Sequence, residues 1–476
     1  MYDQEFQKLS ALVERSVEVK QGNLEILDSE TFRRNAHKLV ETSALGSGIE
    51  QVLARFLVRG AALELGIIPA SIHDLYMARG DGKTPTDFTV PAINLRVLPF
   101  DAASVIFRIA KRIEAGAFIF EIARSEIGYT DQRPSEYATN ILGAAIQEGY
   151  VGPVFLQGDH FQISASRYAN DPKSELGTVK QITEEALQAG FYNIDVDTST
   201  LVDLQYETIP EQQKVNTELS AQLTAFIRQL EPKDVTVSVG GEIGEVGGQN
   251  STEEELRAYM DGFIVDLEKI DPEMVGLSKI SIQTGTSHGG VVLPDGSIQE
   301  VSVDFDALLK LSQIARQDYK TGGAVQHGAS TLPQEAFGKF VESEACEVHL
   351  ATNFQNIFYN HAPKSLEAKI HAYLDENHQN ERKEGQTDEQ FYYKTRKRAI
   401  GPFKKEIWAL PAEIKSEINT SWEKQFSQLF DLLGISGTKK YVDQFTPVPK
   451  IMPDLQTYAK LAKGSGETED TSDLAD

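Results

Sequence analysis

Apolar residues recur at three- to four-residue spacing through FRRNAHKLVETSAL and IEQVLARFLVRGAALEL, which predicts helices over residues 1–80. The loop ARGDGKTPTD, rich in turn formers, closes that stretch. Beyond it the pattern alternates. Short apolar runs that read as strands lie at 88–93, 117–122, 153–157, 192–197, 235–240, 279–283, 324–326 and 346–350. Helical periodicity returns between them, in DAASVIFRIAKRIEA, PSEYATNILGAAIQEG, SELGTVKQITEEALQAG, a long segment around 208–230, TEEELRAYMDGFIVDLEKI, FDALLKLSQIARQD and PQEAFGKFVESE. The stretch from Asn353 onward supplies the eighth. Eight strands alternating with eight helices predict an α/β fold, a (β/α)8 TIM barrel. A doubly wound open sheet is the alternative, but no G-x-G-x-x-G follows the first strand.

The pattern divides the chain into a helical N-terminal extension (1–80), the barrel (81–375), a helical C-terminal extension (376–460) and an acidic tail (461–476) expected to be disordered. A chain of 476 residues suits one large domain with accessories, or two domains. No apolar run approaches the roughly 20 residues that span a bilayer, and the N-terminus has no signal-peptide core. The expectation is a cytoplasmic protein without membrane contact. The single cysteine, Cys346, excludes an intramolecular disulfide framework and a cysteine-rich zinc site. A formal charge of −25 argues against a nucleic-acid surface and repels anionic ligands at long range. A phosphate would need local devices, such as backbone N–H groups at helix N-termini.

Three of the nine histidines, His160, His288 and His327, stand directly after strand-like runs, in GDHFQ, GTSHGG and QHGAS. Barrel enzymes place their chemistry at the C-terminal ends of the strands. There the third strand ends in Asp159-His160, the fourth in Asp197, the fifth in Glu242, the sixth runs to His288 and the seventh ends in His327. Three imidazoles leave a zinc ion one open position, from which it can polarise a carbonyl or stabilise an enediolate. Asp197 has a second reading as a helix N-cap in DTST.

Region 88–361 resembles the class II, metal-dependent fructose-bisphosphate/tagatose-bisphosphate aldolase family. LQGDHF, VGGEIGEVGG, IQTGTSHGG and VQHGASTLP, followed by EVHLATNFQ, carry the resemblance in order. The resemblance implies the same barrel and lyase activity on a ketose phosphate, with Zn2+ as cofactor and, as an option, a second mono- or divalent cation. His160, His288 and His327 would be the zinc ligands, with Glu242 as an additional carboxylate of the metal site and Asp197 behind it. Asp159 would be the acid/base at the hydroxyl whose deprotonation starts cleavage. Gly289, Gly328, Ser330, Thr352 and Asn353 would contact the substrate and its phosphate. The resemblance also implies a homodimer or larger assembly, with both extensions as contact elements.

The chain departs from the family pattern at several points. An acidic pair usually follows the double glycine, where Gln249 and Asn250 stand here, and an amide cannot act as a general base. Glu245 and Glu253 are the candidate replacements. The loop GGVVLPDG lacks the family's lysine, and His349 stands where the last strand usually carries an amide. Arg396, Lys397 and Arg398 could supply phosphate charge or form a solvated helix face. Two other outcomes stay open: a non-catalytic or regulatory homologue, and a sugar-phosphate isomerase or epimerase on the same metal site.

Overall fold

All eight apolar runs between residues 88 and 350 become strands. The computed structural model describes residues 2–20, 23–244, 249–285, 303–329, 332–461 and 474. An N-terminal hairpin, β1 (Val17–Lys20) and β2 (Asn23–Ile26), and a short strand β3 (Ile67–Ala70) come first. The eight are then β4 (Val90–Asn94), β5 (Ile119–Ala123), β6 (Gly152–Gln162), β7 (Asn193–Asp197), β8 (Ser238–Glu242), β9 (Lys279–Ile282), β10 (Ala324–Gln326) and β11 (Glu347–Leu350). Neighbours from β4 to β11 pair in parallel, and β11 pairs back onto β4 with Glu347 opposite Val90. The sheet therefore closes into the expected (β/α)8 barrel.

Parallel neighbours need crossover connections, and helices supply them. Four of these helices, Pro99–Arg112, Pro134–Glu148, Pro172–Ala189 and Ile209–Leu230, carry proline in their first turn, where its missing N–H costs nothing. Gly149 and Gly190, both at positive φ, end two of them. Thr252 begins Glu253–Ile270 with a capping box completed by Glu255.

Residues 1–80 are not wholly helical as expected. The alternation V-E-V-K and N-L-E-I folds as the antiparallel β1–β2 hairpin, and β3 adds alongside the first half of β6, Ile67 opposite Gly152. These runs are short and flanked by strong helical periodicity, so a period of two was hard to separate from it. The helix His73–Gly80 closes the N-terminal mouth of the barrel. Its Tyr76 hydroxyl donates to Glu347 at 2.5 Å, and Arg79 donates to the carbonyl of Phe88, just before β4, at 2.8 Å. Among the described residues, no helix is long and apolar enough to cross a membrane.

The C-terminal segment packs on the barrel. Trp422, fully buried in the helix Ala412–Leu432, donates to the carbonyl of Phe354 at 3.1 Å. Thr438 accepts from the backbone N–H groups of Gly116 and Ala117 just before β5.

Candidate functional site

Successive side chains of a strand point to opposite faces, so a polar residue at every second position of an apolar strand faces the barrel axis. β5 contributes Glu121, β6 Gln157 and Asp159, β7 Asp195 and Asp197, β9 Lys279 and Ser281, and β11 Glu347 and His349. These residues form two layers.

In the lower layer the Lys279 ammonium donates to Gln157 (2.8 Å), Asp195 (3.0 Å) and Glu347. Glu347 also accepts from Gln157 Nε2 at 2.9 Å and lies 2.7 Å from His349 Nε2. Gly240 makes room for this network, since a Cβ there would strike Asp195 and Lys279. Burial pushes the Asp195 carboxyl up to about 6 against the pull of Lys279. Burial would raise Glu347 too, but Lys279 and His349 hold it at about 2. Glu121 is pushed up to about 8 by burial and by the charge of Asp159.

The upper layer lies at the C-terminal rim. Pairing of β6 with β7 slips between Gly158 and Phe161, three residues against two on β7, and His160 takes a left-handed φ of 40°. Such a bulge re-aims a side chain, and a non-glycine residue at positive φ is strain characteristic of functional sites. His160 Nδ1 lies 2.9 Å from Asp197 Oδ2 and 3.5 Å from Glu242 Oε2, and Nε2 is 4.0 Å from Asp159 Oδ1. His327 follows β10, with Nε2 3.0 Å from Ser281 Oγ and 3.9 Å from Glu242 Oε2. The His327 ring lies 4.4 Å from that of His160 and 3.9 Å from that of His349.

Among the described residues, His160, Glu242 and His327 converge as one group that could hold a metal ion. Asp159, His327 and His349 form a second, and Glu121, Glu347 and His349 a third. Imidazole and carboxylate together suit zinc and its first-row neighbours. With Nδ1 of His160 turned to Asp197, Nε2 is the nitrogen that can ligate, the usual carboxylate–histidine–metal arrangement. Burial alone would lower the His160 pKa, but Asp159, Glu242 and Asp197 outweigh it and hold it well above the ordinary value. Burial pushes Glu242 up to about 8, against the pull of His160. A metal ion would displace such protons on binding.

The structure thus brings His160, Glu242, His327, Asp159 and Asp197 together. Asp197 Oδ2 faces His160, while Oδ1 accepts from the Ser199 amide (3.1 Å) and hydroxyl (2.7 Å); it is not the N-cap, a position that Thr198 takes for the short helix Ser199–Leu201. Gly328 follows His327 at φ 70°, and Thr352 and Asn353 open the helix Thr352–His361. His288, Gly289, Ser330 and Glu245 lie outside the described residues.

Two further expectations change. Asn250 donates to Asp304 at 3.2 Å, and Glu253 pairs with Arg257 (2.9 Å) and Lys310 (2.9 Å), so neither joins the rim. Arg396 is not a solvated phosphate ligand. Its guanidinium lies between Tyr359 and Tyr393, 4.5 Å from each ring, and donates to Asn356 at 2.6 Å, while Arg398 pairs with Glu381 at 3.3 Å. Sequence reasoning missed Glu121, Asp195, Lys279 and Glu347, and treated His349 only as a departure. The available signal was polar residues at period two inside apolar strands, and a fourth histidine near a strand end.

The model of the family "Fructose-bisphosphate aldolase class-II" matches residues 84–408, more than half of the chain, and the protein belongs to that family. Similar solved structures include a putative fructose-1,6-biphosphate aldolase from Coccidioides immitis, 17% identical, with a TM-score of 0.46 over 77% of this chain and 97% of that one. The YdjI aldolase from Escherichia coli K12 is 13% identical, with a TM-score of 0.46 over 78% and 98%. The fructose-bisphosphate aldolase from Campylobacter jejuni is 18% identical, with a TM-score of 0.44 over 78% and 96%. No curated protein matched the chain.

Proposed function

We propose that this protein is a metal-dependent aldolase-type lyase that cleaves or forms a carbon–carbon bond in a ketose phosphate. The observation that carries the proposal is the convergence of His160, Glu242 and His327 at the barrel rim with Asp159 beside them. A divalent ion, zinc in the family at large, held by His160, His327, Glu242 and His288, would supply Lewis acidity toward the substrate carbonyl.

The remaining work falls to side chains. Asp159 takes the proton of the hydroxyl next to the scissile bond. That O–H electron pair becomes the new carbonyl as the carbon–carbon bond breaks, and the other fragment is then protonated at carbon. A base must lie within hydrogen-bond reach of its proton, and Asp159 is fixed for this by its neighbours His160 and His349. The N-terminus of Thr352–His361, which opens with Thr352 and Asn353, offers N–H groups to the phosphate, together with Gly328 after β10. Such local donors are needed because the chain's net charge of −25 repels an anion at a distance.

One observation favours a second reading. Asn250 and Glu253 are engaged away from the rim, so neither supplies the acid that exchanges the proton at the nucleophilic carbon. A homologue that keeps the metal without turnover would look the same there. Metal analysis of the purified protein, coupled to a screen for triose release from ketose mono- and bisphosphates, separates the readings. His160→Ala and His288→Ala should each abolish metal binding and cleavage. Wild-type-level cleavage by either variant in chelator-treated buffer would end the lyase proposal. Bound metal without cleavage of any ketose favours the non-catalytic homologue, and isomeric products without triose release favour an isomerase or epimerase.

A further inference from the structure

Both terminal extensions meet the barrel's helices around a polar cavity of about 570 Å3. Its walls are the turn before the helix Gly48–Glu64, the loop before Pro134–Glu148, and the C-terminal segment around Lys404. Among the described residues, none of the candidate metal site lines it. Pockets that take small metabolites run from about 300 to 1,000 Å3.

Four cations face the cavity, Arg55, Arg133, Lys404 and Lys405, against three carboxylates, Asp131, Glu136 and Glu185. Arg133 is matched by Glu185 through two hydrogen bonds. Asp131 and Lys405 are exposed, and Asp131 reaches Lys404 only at 3.9 Å with 76% of its side chain in water. That leaves Arg55 and Lys404, both buried, on one buried carboxylate. Glu136 Oε2 lies 3.2 Å from Arg55 and Oε1 2.6 Å from Lys404. The other donors of Arg55 go to the neutral oxygens of Ser43 and Ser135. Two buried cations on one buried anion leave a positive charge unmatched, and buried charges are costly unless paired. This excess stands in a chain whose net charge is −25.

The backbone adds to it. Helices Gly48–Glu64 and Pro134–Glu148 both begin at the cavity, and neither Ser47 nor Arg133 caps its first turn with a side chain. The N–H groups there carry the positive end of the helix dipole and favour an anion.

We propose that this cavity binds a small phosphate monoester, its phosphate held by Arg55 and Lys404 with Lys405 at the mouth. A phosphate's oxygens match a guanidinium fork and an ammonium together. The cavity is far larger than a lone phosphate ion needs, so the ester fits it better. The bound ligand would tie both extensions to the barrel. The Gly401 N–H donates to the carbonyl of Tyr129 at 3.0 Å, at the end of the short helix Arg124–Tyr129 that follows β5. Glu126 of that helix in turn holds Asn94 and Arg96 at the end of β4. The inference rests neither on the metal centre nor on the aldol reaction.

Hydrogen exchange of the purified protein, with glycerol phosphate or inorganic phosphate at constant ionic strength, tests it. Glycerol phosphate should slow exchange in residues 46–51 and 131–136 and raise the thermal midpoint. Lys404→Met leaves Arg55 and Glu136 matched, and it should raise the ligand concentration needed for that protection by about tenfold or more. Should this variant fail to fold, Lys405→Glu, at an exposed position, should weaken protection in the same direction. No protection of these segments by glycerol phosphate overturns the proposal, as does protection confined to residues 352–361 at the rim or an unchanged affinity in the variants. Protection by inorganic phosphate alone overturns the assignment to an ester.

Discussion

Lys279 has no exposed side-chain surface and sits between Asp195 and Glu347 inside the barrel. Its own burial would lower its pKa, but the two carboxylates raise it above the ordinary value, so it stays charged. Removing one member of such a buried set costs more than the set contributes, because the others remain desolvated and unpaired. Lys279→Met should therefore destabilise the metal-free protein by about 3–5 kcal/mol in urea unfolding. The double variant Lys279→Met/Glu347→Gln should lose less than the sum of the two single changes, since the groups share one network. A single-variant loss under about 1 kcal/mol, the range of ordinary surface changes, would contradict this account. In the sequence, Lys279 looks like the polar start of KISIQ. Alternation shows which face it occupies, but its partners lie 84 and 68 residues away, and one strand's pattern does not name its neighbours' contents. The same limit hid His349. A histidine near the end of the last strand was visible, while its meeting with Asp159 and His327 depended on barrel closure.

Elements were more legible than contacts. The eight barrel strands are buried on both faces, so they read as apolar runs between turn formers, a signal that survives without tertiary knowledge. The plug helix His73–Gly80 was less legible, since its role depends on docking beneath β10 and β11. Its first residue makes a prediction about acid. His73 is buried, its Nδ1 has no hydrogen bond, and burial together with the charge of Arg228 lowers its pKa to about 4. An unfolded chain protonates this imidazole near pH 6.5, whereas the native chain resists until about pH 4. Between those values the unfolded state binds the extra proton, so this group draws stability down as pH falls. The slope approaches about 1.4 kcal/mol per pH unit in the middle of that window. His73→Gln should flatten the wild-type decline by about that slope between pH 6 and 5, measured by chemical denaturation. Identical slopes in the two proteins would show that His73 is not held neutral.

At the scale of the whole molecule, the C-terminal segment supports the candidate rim from outside the barrel. Periodicity made residues 376–460 helical but could not say where they dock, because an amphipathic face shows that something is covered and not what covers it. In the structure, Trp422 packs against the helix that begins with Thr352 and Asn353, and its indole N–H satisfies the carbonyl of Phe354, one residue further on. Phe426, from the same helix as Trp422, packs at a tilt on Phe354 with ring centroids 4.7 Å apart. The start of the rim helix is therefore held by a segment about 70 residues later in the chain. Trp422→Ala would remove a fully buried indole and leave the Phe354 carbonyl without this donor. The expected cost is about 3–5 kcal/mol from lost packing, with the cavity adding to the transfer term. Trp422→Phe keeps most of the volume and should lose much less, which separates packing from the hydrogen bond. Hydrogen exchange then locates the effect. In Trp422→Ala, amides of residues 352–361 should lose protection ahead of the β6–β9 strands, whereas uniform loss across the barrel would mean that the segment stabilises the fold globally and not this rim.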